Sequence, residues 1–209
     1  DIPKYAPVNL HFSLLPKYRG AAPVNWAILN GNAYTGVDTM KMGVGMDDGD
    51  ILLSEQVPVG DKTAITLAEE LSTTGAQLLI KTLRDYEHIT PQPQDHASAT
   101  LAPMLKKEDG LIKWGYPADF IWKMTRALLP WPVAHTYMDG KLLKIYAVEV
   151  DPSHIGENGV IYRVGKDSFS VGTSDGGVII KELQLEGKRR MTAAEFLTGY
   201  KPEIGMKLG

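Results

Sequence analysis

Hydrophobic and polar positions alternate near the start of the chain. Val8, Leu10 and Phe12 interleave with Asn9 and His11, which predicts a short strand ending near Ser13. Alternation puts Asn9 and His11 side by side on one face. Leu14, Leu15 and Pro16 then leave the strand, because proline has no N–H for a ladder. Pro23 to Asn30 reads as a short helix with proline at its first position and Gly31 as its stop. Val37 to Met42 and Ile51 to Val57 predict two more strands, an antiparallel or mixed edge of a sheet. The period changes to a helical one over Thr66 to His88. Leu67, Leu71, Leu78, Leu79, Thr82 and Tyr86 form a single stripe, Thr66 with Glu69 matches a capping box, and His88 is placed to meet the helix dipole.

The pattern then lapses. Pro91 to Pro103, PQPQDHASATLAP, has no apolar period and reads as a linker, with His96 expected in solvent. A helix follows Pro117, lined by Phe120, Ile121, Met124, Ala127 and Leu128. Trp114, Trp122 and Trp131 gather around it, as core and interdomain packing or as a platform for stacking RNA bases. Five short strand-like runs come next: Val133 to Met138, Lys141 to Val150, Gly159 to Val164, Ser168 to Gly172 and Gly177 to Leu185. Hairpin signals at Asp139-Gly140, Gly165-Lys166 and Asp175-Gly176-Gly177 separate them. This predicts a small OB-like β-barrel, with His135 and His154 structural or exposed. A last helix carries a Thr192/Glu195 capping box, a Met191–Phe196 staple and a stop at Gly199. The expected organisation is α/β: the carboxyl-terminal half of a truncated Rossmann-like domain over residues 1–89, a linker over 90–103 and the OB-like domain over 104–209.

At 209 residues the chain holds one large or two modest domains, and its apolar content of 44% is ordinary for a globular protein. No run of apolar residues is long enough for a membrane span. The absence of cysteine removes thiol chemistry and suits a reducing compartment. Charge is uneven: 7 basic against 12 acidic side chains over residues 1–99, and 15 against 13 over 100–209. The second half is mildly basic, which is compatible with RNA contact without arguing for it.

Chemistry concentrates between Asn9 and Asp50. Asn9 and His11 lie at the carboxyl end of a strand, where open α/β sheets place ligands. Asp47 lies in GVGMDDGD, a loop whose glycines permit unusual backbone conformations. Folded over the strand end, Asp47 would accept the N–H of His11 and fix its tautomer. An amide donor, an imidazole and an orienting carboxylate together suit acyl transfer: Asn9 stabilises an oxyanion, and His11 assists and moves protons. The plainer reading of Asn9 and His11 is a satisfied polar pair in the core. Asp47, Asp48 and Asp50 alone make an ordinary turn cluster or a weak cation site. The run lacks EF-hand spacing, so no metal is expected, and no Walker loop or GxGxxG motif calls for a nucleotide cofactor. Arg19 either holds a phosphate or acidic group or closes a loop salt bridge. Lys188, Arg189 and Arg190 form a compact basic patch, either a solvated turn or a phosphate contact.

Asn9, His11, Ser13 to Pro16, Arg19 and Gly20, followed by Thr35 to Val37, Asp47, Gly49 and Asp50, make up N-x-H-x-S-L-L-P-x-x-R-G, T-G-V and D-x-G-D. This resembles the 10-formyltetrahydrofolate-dependent formyltransferases. Arg126 to Pro132, RALLPWP, is similar to more than one branch of them. A later signature runs from Gly187 and Lys188 through Met191, Thr192, Ala193, Glu195, Phe196 and Leu197. It resembles the branch acting on methionyl-initiator tRNA. The resemblance implies 10-formyltetrahydrofolate as formyl donor and the methionyl α-amino group as acceptor. It implies Asn9, His11 and Asp47 as catalytic residues and Ser13, Leu14, Leu15 and Pro16 lining the folate site through their backbone. It implies a monomeric enzyme of translation initiation in the cytoplasm or an organelle matrix, with no membrane or DNA partner. The alternatives are transfer to a nucleotide-linked amino sugar, and an RNA-binding piece without activity of its own. The family carries an upstream half-domain before the active-site strand, so the chain is expected to be a carboxyl-terminal piece that neither binds folate tightly nor turns over alone.

Overall fold

The structure is a computed structural model that describes residues 6–209. The chain divides into two units, Asp1–Leu105 and Lys106–Gly209.

The first unit is built on three antiparallel strands, β1 (Val8–His11), β2 (Tyr34–Lys41) and β3 (Ile51–Pro58), in the order β1-β2-β3. α1 (Pro23–Leu29) begins at a proline, and Gly31 follows it at φ 68°. α2 (Ala64–Asp85) covers one face of the sheet with Leu67, Leu71, Leu78 and Thr82 buried. Each leucine so buried contributes roughly 1.5–3 kcal/mol. The predicted stripe is largely present, with Leu79 and Tyr86 only half-buried.

The start of α2 differs from expectation. Thr63, not Thr66, is the N-cap. Thr66 N–H donates to Thr63 Oγ1 at 3.2 Å, and Thr63 N–H donates to Thr66 Oγ1 at 3.0 Å. A threonine hydroxyl thus fills the place usually given to glutamate in this box. Gly75 sits where α2 crosses β1: a Cβ there would lie 2.8 Å from Leu10 Cδ2. Leu10 therefore points at α2. Thr39, its cross-strand partner, shares that face and bonds Thr82 at 2.8 Å. Asn9 and His11 project from the opposite face.

Residues 91–103 are fastened to the first unit. Ile51 and Gln92 exchange both backbone bonds, Arg19 N–H donates to Thr100 O, and Ala102 N–H donates to Arg19 O. His96 is exposed, yet its Nδ1 lies 3.1 Å from Arg19 Nη2, so it is not simply solvated.

The second unit opens with α3 (Ala118–Ala127), whose first amide donates to Asp175 Oδ1 at 2.8 Å. Strands β4 (His135–Met138), β5 (Lys141–Asp151), β6 (Ile161–Val164), β7 (Phe169–Thr173) and β8 (Gly176–Leu185) follow close to the predicted runs. They pair antiparallel along an open path, β4-β5-β8-β7-β6, and β9 (Met191–Thr192) adds to β8. Asp139 and Gly140 take φ 50° and 73°, as a two-residue hairpin turn requires. Leu143, Ile145, Phe169, Val171 and Ile180 fill the core. α4 (Ala193–Gly199) carries the Thr192/Glu195 capping box. Trp114 is buried and donates to Thr136, whereas Trp131 is 54% exposed, so the tryptophans do not form one cluster. His135 is structural: Nδ1 meets Val133 O at 2.9 Å. His154 stacks on Tyr162 with ring centres 3.4 Å apart.

Candidate active site

β1 presents Asn9 and His11 on the sheet face away from α2, and the loop after β2 brings Asp47 to them. His11 Nδ1 lies 3.6 Å from Asp47 Oδ2, an ion-pair separation longer than a hydrogen bond. The expected Asp47 acceptor for the His11 N–H is thus replaced by a backbone group. His11 Nε2 donates to Tyr18 O at 2.9 Å, and a carbonyl can only accept. That bond sets the proton on Nε2 and turns Nδ1 toward Asp47. Tyr18 takes φ 63°, a conformation that an L side chain seldom adopts.

Asp47 is itself at φ 49°, and its Oδ2 accepts Gly20 N–H at 2.8 Å. Its loop is narrow. Asp48 Oδ2 accepts Gly45 N–H, and a Cβ at Gly49 would collide with Lys41 O. Met42, Val44 and Met46 turn outward from the same loop. The Asn9 amide has no hydrogen-bond partner among the described residues.

The Ser13–Pro16 turn leaves β1 directly after His11. Ser13 Oγ donates to Lys17 O at 2.7 Å, which closes the turn on itself. Leu14, Leu15 and Pro16, with Tyr18, Asn32 and Thr35, line a cavity of about 280 Å³. Leu15 N–H donates to Asp38 Oδ2 at 2.6 Å. Asp38 is fully buried in β2, opposite His11 in the strand register. Burial pushes its carboxyl up to about 6 against the lowering effect of the Ser54 hydroxyl and the Leu15 amide.

Arg19 is 9% exposed. Its Nε and Nη2 donate to Gln94 Oε1 at 3.1 and 2.6 Å, so it forms neither a loop salt bridge nor an open cation. Gln94, Asp38 and Tyr18 are the site-supporting residues that pattern reading missed. Only Asp38, a charge inside an alternating strand, gave any signal.

In the second unit, Arg189 Nη2 lies 2.6 Å from Glu195 Oε1, and Arg190 forms a two-pronged pair with Glu182 at 2.6 and 2.5 Å while stacking over Tyr146. The Arg189 guanidinium, then the Thr192 amide, hold the Glu195 carboxyl down to about 2. The Lys188 ammonium has no side-chain partner among the described residues. Among them, no cluster of three His, Cys, Asp or Glu side chains could hold a metal, and no helix is long and apolar enough to cross a membrane.

Comparison with known proteins bears on both units. Residues 1–83 match the formyl transferase family, and residues 104–201 match the formyl transferase C-terminal domain. Methionyl-tRNA formyltransferase of Citrifermentans bemidjiense is 47% identical over 212 residues, covering 100% of this chain and 66% of the relative. That of Geobacter sulfurreducens is 45% identical, covering 100% of this chain and 67% of the relative. The chain thus spans about two thirds of the length of these curated relatives. Among solved structures, HypX from Aquifex aeolicus in complex with tetrahydrofolic acid superposes with a TM-score of 0.70 at 20% identity, covering 98% of this chain and 38% of that one; at that identity the likeness is one of fold. With both family regions matched and relatives this similar along its whole length, the chain belongs to the methionyl-tRNA formyltransferase family.

Proposed function

We propose that the chain carries the transfer of a formyl group from 10-formyltetrahydrofolate to the α-amino group of methionyl-initiator tRNA. The approach of His11 Nδ1 to Asp47 Oδ2, 3.6 Å apart on the strand that also bears the Asn9 amide, is the observation that carries the reading. The names of the similar proteins supply the acceptor, and the tetrahydrofolic acid named with the HypX structure supports the donor.

In this mechanism the neutral amine attacks the formyl carbon and a C–N bond forms. The formyl oxygen becomes an oxyanion, and Asn9 donates to it. His11 Nε2–H is engaged by Tyr18 O, so Nδ1 is the nitrogen that serves the reaction. Nδ1 takes the proton lost by the amine, directly or through water, with Asp47 stabilising the resulting charge. Protonated, it also donates to the oxyanion. Collapse breaks the bond to N10 of the folate, which receives the proton.

Ser13 to Pro16 line the donor site through their backbone. The second unit acts as an OB-like module on the tRNA, and Lys188 is its most available phosphate contact. The first unit is read as part of a Rossmann-like domain, working as a monomer in the bacterial cytoplasm. The test, made in the full-length enzyme, supplies 10-formyltetrahydrofolate with either charged initiator tRNA or a nucleotide-linked amino sugar. Formylated methionyl-tRNA is the expected product; formyl transfer to the sugar alone would overturn the reading.

A further inference from the structure

Gln94 is almost completely buried and all its hydrogen-bonding capacity toward the site is used. Its Oε1 accepts both Arg19 bonds. Its Nε2 donates to Asp47 O at 2.9 Å and to Gly49 O at 2.7 Å. Only one orientation of the amide satisfies these partners, because guanidinium N–H groups only donate and carbonyls only accept. Asp47 is then gripped at both ends: its carbonyl by Gln94, and its carboxylate by the amide of Gly20, the residue bonded to Arg19. The contacts close a ring that runs Arg19, Gln94, Asp47, Gly20 and back to Arg19.

We propose that Gln94 is a positioning residue for formyl transfer: with Arg19 it closes a hydrogen-bonded ring that holds Asp47 within reach of His11. This rests on the reading of Asp47 as the partner of His11 in catalysis. Asp47 occupies a left-handed backbone conformation in a glycine-rich loop, which has many alternatives once the ring is opened. The half-buried carbonyls of Asp47 and Gly49 would also lose their shared donor. Arg19 fixes which way the amide faces.

The test is made in the active enzyme with Gln94→Glu and Gln94→Ala. Gln94→Glu keeps a partner for Arg19 but sets carboxylate oxygens against the carbonyls of Asp47 and Gly49. Either variant is expected to lower kcat by roughly 10–100-fold, the scale of a misplacement of about 1 Å, with KM for the formyl donor little changed. In an Asp47→Ala background, neither is expected to lower kcat further. Amide hydrogen exchange across residues 43–50 is expected to speed up about tenfold or more in both variants. Retained kcat in Gln94→Glu, or a full additional loss in the Asp47→Ala background, overturns the proposal. Unchanged exchange overturns it whatever the activity. If the unmodified enzyme transfers no formyl group, the functional reading falls, while the exchange measurement still decides whether the ring holds the loop.

Discussion

The imidazole of His11 is held by the carbonyl of Tyr18: Nε2 to O is 2.9 Å, and the two residues are seven apart in the chain. The nitrogen left facing Asp47 is therefore Nδ1, and the turn that follows β1 decides it.

That geometry separates the three catalytic candidates by what each removal leaves behind. Asn9→Ala removes an oxyanion donor, a loss on the order of 10²–10³ in rate. Asp47→Ala and His11→Ala remove proton-transfer help, on the order of 10²–10⁴. Asn9→Ala should leave the melting temperature unchanged, whereas His11→Ala also strands the Tyr18 carbonyl and should cost about 1–3 kcal/mol. Turnover measured beside thermal melts checks this. Near-normal turnover in any of the three strips that residue of its role.

Asp38 predicts a pH-dependent stability. Its carboxyl is raised in the fold from the ordinary 3.8 to about 6, so the folded chain holds that proton more tightly than the unfolded one. Ionising it penalises the fold. The penalty is absent below about pH 4, grows between about 4 and 6, and is complete above that, reaching on the order of 3 kcal/mol. Asp38→Asn retains an acceptor for Leu15 N–H without the charge. It should melt at nearly the wild-type temperature near pH 4 and several degrees higher at pH 8. A gap that stays constant across that range refutes the assignment.

Gly36 packs β2 against the turn that lines the candidate folate site. A Cβ there would collide with Glu55 O and lie 2.5 Å from Leu14 Cδ2. The backbone oxygen cannot swing away, so the paired strands must shift apart and Leu14 must move as well. Gly36→Ala is expected to destabilise by roughly 1–3 kcal/mol and to raise KM for the formyl donor more than it lowers kcat. Unchanged donor KM in a folded variant would detach the Leu14 turn from donor binding.

The basic patch divides. Lys188 is free to neutralise a phosphate, whereas Arg189 and Arg190 already face carboxylates. Lys188→Ala should reduce the salt dependence of initiator-tRNA binding by about 0.7–0.9 in log–log slope. Arg190→Ala should leave that slope nearly unchanged. Titrations at several salt concentrations distinguish these outcomes, and equal slopes for Lys188→Ala and wild type would exclude the lysine.

Much of this was legible in advance, for local reasons. Alternation located β1, hairpin signals such as Asp139-Gly140 separated the later strands, and a helical stripe located α2. The catalytic candidates stood out because their residue types and spacing are uncommon together. The supports were not legible, because they are long-range and polar. Gln94 lies in a proline-rich run that reads as solvated, and its partners are 75 and 47 residues away. Arg189 and Arg190 read as free cations until the fold places Glu195 and Glu182 beside them. Thr63 was not legible as the cap because the residue three places on is Thr66, whereas Thr66 has Glu69 at that spacing.

A protein without cysteine is easily taken to be indifferent to peroxide. Yet Met42 and Met46, 56% and 64% exposed, stand on either side of the apolar tip at Val44, immediately before Asp47. Conversion of those thioethers to sulfoxides would make the rim polar at the very place where the Asp47 loop is shaped. Oxidative ageing should therefore reach this enzyme through its methionines, and a sulfoxide reductase should be able to reverse it.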